Sequence, residues 1–166
     1  MNGDLLRQVY ESHSEEILIY LYSLCGNKSL AEDLMQETFV KALLSLPDGH
    51  GNIRAWLYKV ARNLYFNYYR KEPEKVGLEA IEGAADGEAG PEEAMLQKLK
   101  NKRLYEAVLR LEKQRREVIM LQYFSGFPQA QIASMLGITQ ANVRVISHRA
   151  KKELKKYMEE SENEVL

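Results

Sequence analysis

The sequence contains very little cysteine, since Cys25 is the only one among its 166 residues. An internal disulfide is therefore excluded, and so is a zinc site built from several cysteine thiolates. The neighbouring Tyr22 and Leu24 are apolar, which favours a buried structural thiol over a redox centre.

Long apolar runs are also missing. No stretch of about eighteen consecutive apolar residues occurs, and the N-terminus lacks the basic and apolar segments of a signal peptide. The hydrophobic fraction of 45% is nevertheless sufficient for packed cores. We therefore expect a cytoplasmic protein without membrane insertion.

Sequence motifs for catalysis are absent as well. We find no phosphate-binding glycine loop with its Lys and Ser or Thr, and no nucleophile elbow. The histidines His13, His50 and His148 have no ligand partners at useful spacing. The sequence therefore predicts no enzyme, no metal site and no cofactor.

The near-neutral net charge of -1 is a sum of opposed blocks. Residues 95–158 carry 14 basic and 4 acidic side chains, whereas residues 72–94 carry 1 and 8. A basic C-terminal region next to an acidic segment favours a nucleic-acid partner.

The clearest pattern present is a helix-turn-helix between Gln129 and Arg149. Ala133 allows close helix packing and Gly137 allows the tight turn. The second helix is expected to expose Gln140, Ala141, Asn142, Arg144, Val145, His148 and Arg149. An ordinary helical hairpin would give a similar pattern. The basic run Lys151, Lys152, Lys155 and Lys156 favours the DNA-binding reading, because it lies where phosphates would be.

Helices are predicted before the acidic segment over residues 5–24, 30–46 and 53–71, the first being either one long helix or two abutting ones. Gly26 ends the first, and Ser29 with Glu32 predicts a capping box for the second. On the second helix, four polar residues share the face opposite the apolar one: Glu32, Asp33, Gln36 and Glu37. This acidic face is either merely solvated or a docking surface for a basic helical partner.

The helix over residues 53–71 combines five basic residues and six aromatic ones with no acidic residue. Core packing accounts for some of the rings. Unpaired bases stack on aromatic faces while cations hold the backbone, so a nucleic-acid surface accounts for the mixture equally well. These residues alone do not decide between core packing and a nucleic-acid surface.

The fold class expected is all-α, with two small helical domains joined by a flexible acidic linker. The predicted bounds are residues 1–71 for the N-terminal domain, 72–94 for the linker and 95–166 for the C-terminal domain. In the last of these, helices are predicted over residues 95–111 and 115–124, and the Glu-rich end, 159–166, is expected to fray.

In this order of elements the chain resembles the extracytoplasmic-function (ECF) sigma factors of bacteria. The resemblance lies in residues 31–42 (AEDLMQETFVKA), 54–64 (RAWLYKVARNL) and 129–154, with 111–121 as a further match. It implies a protein that binds core RNA polymerase through the clamp helices of the largest subunit and the flap. It also implies binding to promoter DNA and control by an anti-sigma factor.

The resemblance implies three sets of site residues. Glu32, Asp33, Gln36 and Glu37 would bind the polymerase. Recognition and melting of the minus-10 element would use Asp48, Asn52, Arg54, Trp56, Tyr58, Lys59, Arg62, Asn63 and Tyr65. The minus-35 element would be bound by Gln140, Ala141, Asn142, Arg144, Val145, His148, Arg149, Lys151 and Lys152.

The sequence departs from the family pattern in two places. Asn67 stands where Asp is common, and Ile146 with Ser147 replaces a more usual basic residue and Leu. Two other functions fit the pattern of residues. One is a regulator that binds an operator independently of polymerase, and the other is a helical adaptor or anti-sigma partner that has lost DNA contact.

Overall fold

The computed structural model describes residues 3–45, 51–72, 90–99 and 101–165. All regular structure in these parts is helical, which confirms the predicted all-α class. The helices are α1 (Gly3–Cys25), α2 (Lys28–Ser45), α3 (Ile53–Lys71), α4 (Pro91–Leu99), α5 (Lys102–Arg110), α6 (Lys113–Ile119), α7 (Gln129–Leu136) and α8 (Gln140–Val165). A π-helical turn, Met120–Phe124, continues α6. Within these ranges, no helix is both long enough and apolar enough to cross a bilayer.

The chain divides into two compact units, Met1–Ala94 and Met95–Leu166. In the N-terminal unit α1, α2 and α3 pack against one another. Ile17, Leu21 and Leu57 are fully buried among them. Apolar burial is worth about 25 cal/mol per Å², so these side chains supply much of the stability of this small helical unit.

The connection between α1 and α2 begins with Gly26, whose φ of 68° is in the left-handed region that favours glycine. The predicted capping box at Ser29 was wrong. Asn27 caps α2 instead, because its side-chain oxygen accepts a hydrogen bond from the Leu30 backbone N–H at 3.0 Å. Helix α2 therefore starts two residues earlier than predicted, at Lys28.

Cys25 lies at the end of α1 and is fully buried. Its thiol donates to the Asn27 carbonyl oxygen at 3.3 Å. Burial raises the pKa of this thiol to about 11 from the ordinary value of 9.0. The structure thus places it as a protonated packing residue, as expected from its apolar neighbours.

We expect Cys25 in the native protein to react with iodoacetamide at pH 8 at least about 100-fold more slowly than in the unfolded chain, because the native thiolate is that much rarer. Stability should not change through this group below pH 9, and it should fall between pH 9.0 and about 11. In that window the unfolded thiol ionises while the native one remains protonated. Mass spectrometry of timed samples with and without urea measures the rates, and equal rates would contradict the burial.

In the C-terminal unit α8 packs against α5, α6 and α7. Ile132 of α7 and Val143 of α8 are fully buried. Gly137, with a φ of 68°, forms the turn between these helices, and the Ile138 N–H donates to the Ala133 carbonyl at 3.1 Å. The predicted helix-turn-helix is therefore present.

One predicted helix in this unit was wrong. The single helix expected over residues 95–111 is divided into α4 and α5, because Asn101 caps α5 by accepting from the N–H groups of Arg103 and Leu104. Helix α8 continues to Val165, and the expected fraying of its end stays a prediction. Arg110 pairs with Glu160 at 3.1 Å and holds that end against α5.

Candidate functional site

The acidic residues of α2 lie at its surface. Asp33, Gln36 and Glu37 are exposed, and Glu32 is half-buried. The opposite side of the helix is buried through Leu34, Thr38 and related positions. The structure therefore brings the four predicted residues together on one accessible side of α2.

The same side of α2 continues as an apolar surface, which the sequence analysis missed. Val40 is 53% exposed and Leu44 is 76% exposed. With about 100° per residue, Asp33, Glu37, Val40 and Leu44 fall within roughly 60° of arc. We call these four residues the α2 stripe. Leu43, in the same turn, is also exposed.

Helix α3 starts where the Asn52 side chain accepts a hydrogen bond from the Ala55 N–H at 3.1 Å. Its buried residues are Leu57, Tyr58, Ala61 and Tyr65. Their spacing of three to four residues turns one side of α3 toward α1 and α2. The aromatic residues of α3 therefore divide into those buried in the core and those at the surface.

Tyr58 and Tyr65 belong to the core, contrary to their predicted role as DNA-stacking residues. The Tyr58 ring packs on Tyr20 with centroids 4.9 Å apart. The Tyr65 hydroxyl donates to the Leu24 carbonyl oxygen at 3.2 Å. Since Tyr58 is 1% and Tyr65 2% exposed, neither ring offers a face to a base. The sequence could not show this, because the residues that bury the two rings come from α1.

Glu16 of α1 connects several groups at the start of α3. One of its carboxylate oxygens accepts hydrogen bonds from Arg54 Nε at 2.7 Å and from the Tyr58 hydroxyl at 2.9 Å. The other lies 3.0 Å from His13 Nδ1. Arg54, predicted to contact DNA, therefore uses its Nε to join α3 to α1, and its guanidinium also lies 5.5 Å from the Tyr58 ring centroid.

The outward side of α3 carries the remaining predicted residues. Lys59 and Asn63 are exposed, and Arg62 is half-buried. The Arg62 guanidinium lies 4.5 Å from the ring centroid of Phe66, which is 36% exposed. Phe66 was absent from the predicted site residues, although its spacing of seven from Lys59 places it on the same face. We call Lys59, Arg62, Asn63 and Phe66 the α3 face.

Three other predicted minus-10 residues are placed differently. Trp56 is half-buried in the first turns of α3, where Asn52 is exposed and occupied in capping. Asp48 lies outside the described residues, as does the loop residue His50. The structure thus brings together only part of the predicted minus-10 set.

The predicted minus-35 residues all lie on the exposed side of α8. Gln140, Ala141, Asn142, Arg144, Val145, His148, Arg149, Lys151 and Lys152 are exposed. Val143, Ser147 and Ala150 face inward and are at most 1% exposed. Thr139 starts the helix, because its hydroxyl oxygen accepts from the Asn142 N–H at 3.1 Å. The arrangement presents polar and basic side chains on the second helix of the helix-turn-helix, as binding in a DNA groove requires.

An apolar groove with a volume of about 410 Å³ lies beside α8 in the C-terminal unit. Its lining includes Leu104, Val108, Met120, Tyr123 and Lys151. The groove therefore offers an apolar surface with one cation, that of Lys151.

Among the residues that the structure describes, no group of three or more His, Cys, Asp or Glu side chains could hold a metal ion.

Comparison with known proteins relates both units to one family. Residues 9–73 match the model of sigma-70 region 2, and residues 101–154 match that of sigma-70 region 4. The RNA polymerase sigma factor YlaC of Bacillus subtilis is 33% identical over 166 residues, which cover 97% of this chain and 96% of YlaC. The ECF RNA polymerase sigma factor BldN of Streptomyces coelicolor is 31% identical over 89% of this chain and 58% of its own length.

A solved structure also supports the fold. The sigma factor RpoE from Bartonella quintana, in complex with the anti-sigma factor NepR, aligns with a TM-score of 0.69 and 24% sequence identity. The alignment covers 92% of this chain and 96% of that one.

Proposed function

Because this chain belongs to the ECF subfamily of RNA polymerase sigma factors, we propose that its exposed surfaces divide the work of promoter recognition among them. The protein binds core RNA polymerase and directs transcription initiation at promoters. The observation that carries this function is the match to sigma regions 2 and 4 in order, together with a full-length relative at 33% identity. Its proposed place of action is the cytoplasm, and the proposed activity needs no catalytic residue and no cofactor.

The α2 stripe, with Gln36 and Glu32 beside it, is the proposed polymerase-docking surface. Its acidic half attracts a basic partner helix, while Val40 and Leu44 add apolar area that becomes buried on binding. Charge complementarity supplies orientation and association rate, and the apolar half lowers the dissociation rate. The family resemblance makes the clamp helices of the largest polymerase subunit the expected partner.

The α3 face is the proposed surface for the separated strands of the minus-10 element. Melting requires that bases leave the stack, and an unstacked base gains free energy by stacking on an aromatic ring. Phe66 provides that ring. The Arg62 guanidinium lies 4.5 Å from the ring centroid, so this cation is positioned next to the sugar-phosphate backbone of the DNA strand. Lys59 and Asn63 add a phosphate contact and a hydrogen-bonding group. Tyr58 and Tyr65 support this face from the core.

The exposed side of α8 is the proposed reader of the minus-35 element in the major groove. Gln140, Asn142 and Arg144, near the helix start, can form hydrogen bonds with base edges. Arg149, Lys151 and Lys152 lie farther along and hold phosphates. The contact with phosphates makes binding salt-dependent, and the contact with base edges makes it specific.

Two protein contacts complete the proposal. The apolar groove beside α8 is the proposed contact surface for the polymerase flap, which the family resemblance implies as a partner. An anti-sigma factor is the proposed regulator, because RpoE was solved in complex with one. A polymerase-independent operator-binding regulator is not favoured, since residues 9–73 match a sigma region that such a regulator does not need.

Run-off transcription tests the function directly. Core polymerase from the same bacterium, mixed with fragments of its genome, should yield discrete transcripts only when this protein is added. Core polymerase alone is the control. Tight binding of the free protein to palindromic sites, without any polymerase-dependent transcript, would support the operator-binding regulator instead.

A further inference from the structure

The π-helical turn at Met120–Phe124 directs two consecutive side chains at α8. Such turns accommodate an extra residue in a helix and are frequent at functional positions. Here the Ser125 N–H donates to the Met120 carbonyl at 2.9 Å, one residue beyond the ordinary helical partner. Gln122 and Tyr123, in the middle of this turn, both contact α8.

The first contact is a hydrogen bond between two side chains. The Ser147 hydroxyl donates to Gln122 Oε1 at 2.7 Å. Ser147 is 1% exposed and lies between the fully buried Val143 and Ala150. A buried hydroxyl without a partner is costly, so this position strongly favours the rotation of α8 that places Ser147 opposite Gln122.

The second contact lies one helical turn farther along α8. The Lys151 ammonium is 5.0 Å from the ring centroid of Tyr123, which is 56% exposed. Ser147 and Lys151 are four residues apart, so they share one side of α8. Contacts at both positions oppose rotation of α8 and sliding along its axis. A shift by one residue would turn the helix by about 100° and bring Ile146 or His148 to Gln122.

We propose that Gln122 and Ser147 are positioning residues that fix the rotation of α8 and thereby determine which base edges its exposed side chains reach. The inference rests on the proposed reading of the minus-35 element by α8. Buried polar pairs that specify register at some cost in stability are the best-attested use of such groups. Neither residue touches DNA in this proposal, since Ser147 is buried and Gln122 acts through it.

The test uses full-length protein in holoenzyme with a promoter library randomised in the minus-35 element. Ser147→Ala removes the donor, and Gln122→Met removes the acceptor while conserving shape. Gln122→Glu retains an acceptor and serves as the conservative variant. Gln114→Met, at an exposed position of α6, is the matched control. Transcript sequencing gives the base preference, and thermal unfolding gives the stability of each variant.

A mismatched base pair ordinarily costs roughly 5- to 150-fold in affinity, and we expect Ser147→Ala and Gln122→Met to reduce this discrimination by about fivefold. Gln122→Glu and Gln114→Met should keep the wild-type profile. If Ser147→Ala and Gln122→Met both kept the wild-type base preference, the proposal would be overturned, whatever their melting temperatures. If Ser147→Ala does not fold, Gln122→Met decides alone, because Gln122 is only half-buried. Failure of wild-type holoenzyme to initiate would instead refute the proposed function.

Discussion

Replacing both Asp33 and Glu37 by lysine is expected to weaken association with core RNA polymerase by about 30- to 1000-fold, because attraction to a basic partner becomes repulsion in an interface. Both side chains are exposed and lie one turn apart on the α2 stripe. Neither helps to form the core of the N-terminal unit, so the melting temperature should stay within a few degrees of wild type. Surface substitutions of this kind usually change stability by no more than about 0.5 kcal/mol.

The effect is measured with labelled core polymerase at two salt concentrations. The matched control replaces Glu11 and Glu106, both exposed, by lysine, which changes the net charge equally outside the stripe. If the variant with lysine at both Asp33 and Glu37 bound core polymerase with wild-type affinity, the assignment of this surface would be contradicted. An equal loss of affinity in both double variants would show an effect of net charge alone. The loss of affinity caused by the two lysines in the α2 stripe should diminish at high salt.

The helix-turn-helix could be predicted from the sequence because its signals are local. Gly137 permits the left-handed turn, and the inward positions of α8 recur at helical spacing. The exposed side of α8 follows from the same period. The Gln122–Ser147 hydrogen bond could not be predicted, since its partners are 25 residues apart and one lies in a π-helical turn.

In helix α3 the pattern of residues does not distinguish core residues from surface residues. Its rings cover more than one side of α3, so periodicity alone cannot separate core from surface. The partners of Tyr58 and Tyr65 include Glu16, Tyr20 and the Leu24 carbonyl, about forty positions earlier in the chain. The core interpretation is therefore confirmed for one side of this helix, whereas the nucleic-acid surface stays a prediction for the other side.

The boundary error in the C-terminal unit has a local cause. Asn101 was taken as part of a continuous helix, whereas its side chain caps α5. Near the end of α8, the Arg103 guanidinium donates to the Met158 carbonyl oxygen at 3.1 Å and joins this helix to α5. The partners of the Asn101 side chain are only two and three residues away, so this cap is a local signal that competes with the helical pattern. The Arg103–Met158 contact instead joins residues 55 positions apart, which the linear sequence does not identify.

Removing the stacking pair by Arg62→Ala together with Phe66→Ala is expected to reduce open-complex formation by about 5- to 150-fold, since stacking contributes roughly 1–3 kcal/mol per base. Binding to polymerase and formation of the closed complex should remain, because the α2 stripe and α8 are unaltered. Permanganate footprinting of unpaired thymines measures the open complex, and a mobility shift at low temperature measures the closed one.

Tyr65→Ala is the contrasting variant, because it alters an aromatic residue of the same helix that lies in the core. We expect it to destabilise the N-terminal unit by about 3–5 kcal/mol, since a large buried ring leaves a cavity. The loss should appear as a lower melting temperature and as weaker polymerase binding, not as a selective loss of melting. Tyr65→Phe, which keeps the ring and removes the hydroxyl that donates to the Leu24 carbonyl, should cost about 1 kcal/mol. If Tyr65→Ala kept its stability and lost only the open complex, the ring would act on DNA after all, and the division of α3 into a core side and the α3 face would be wrong.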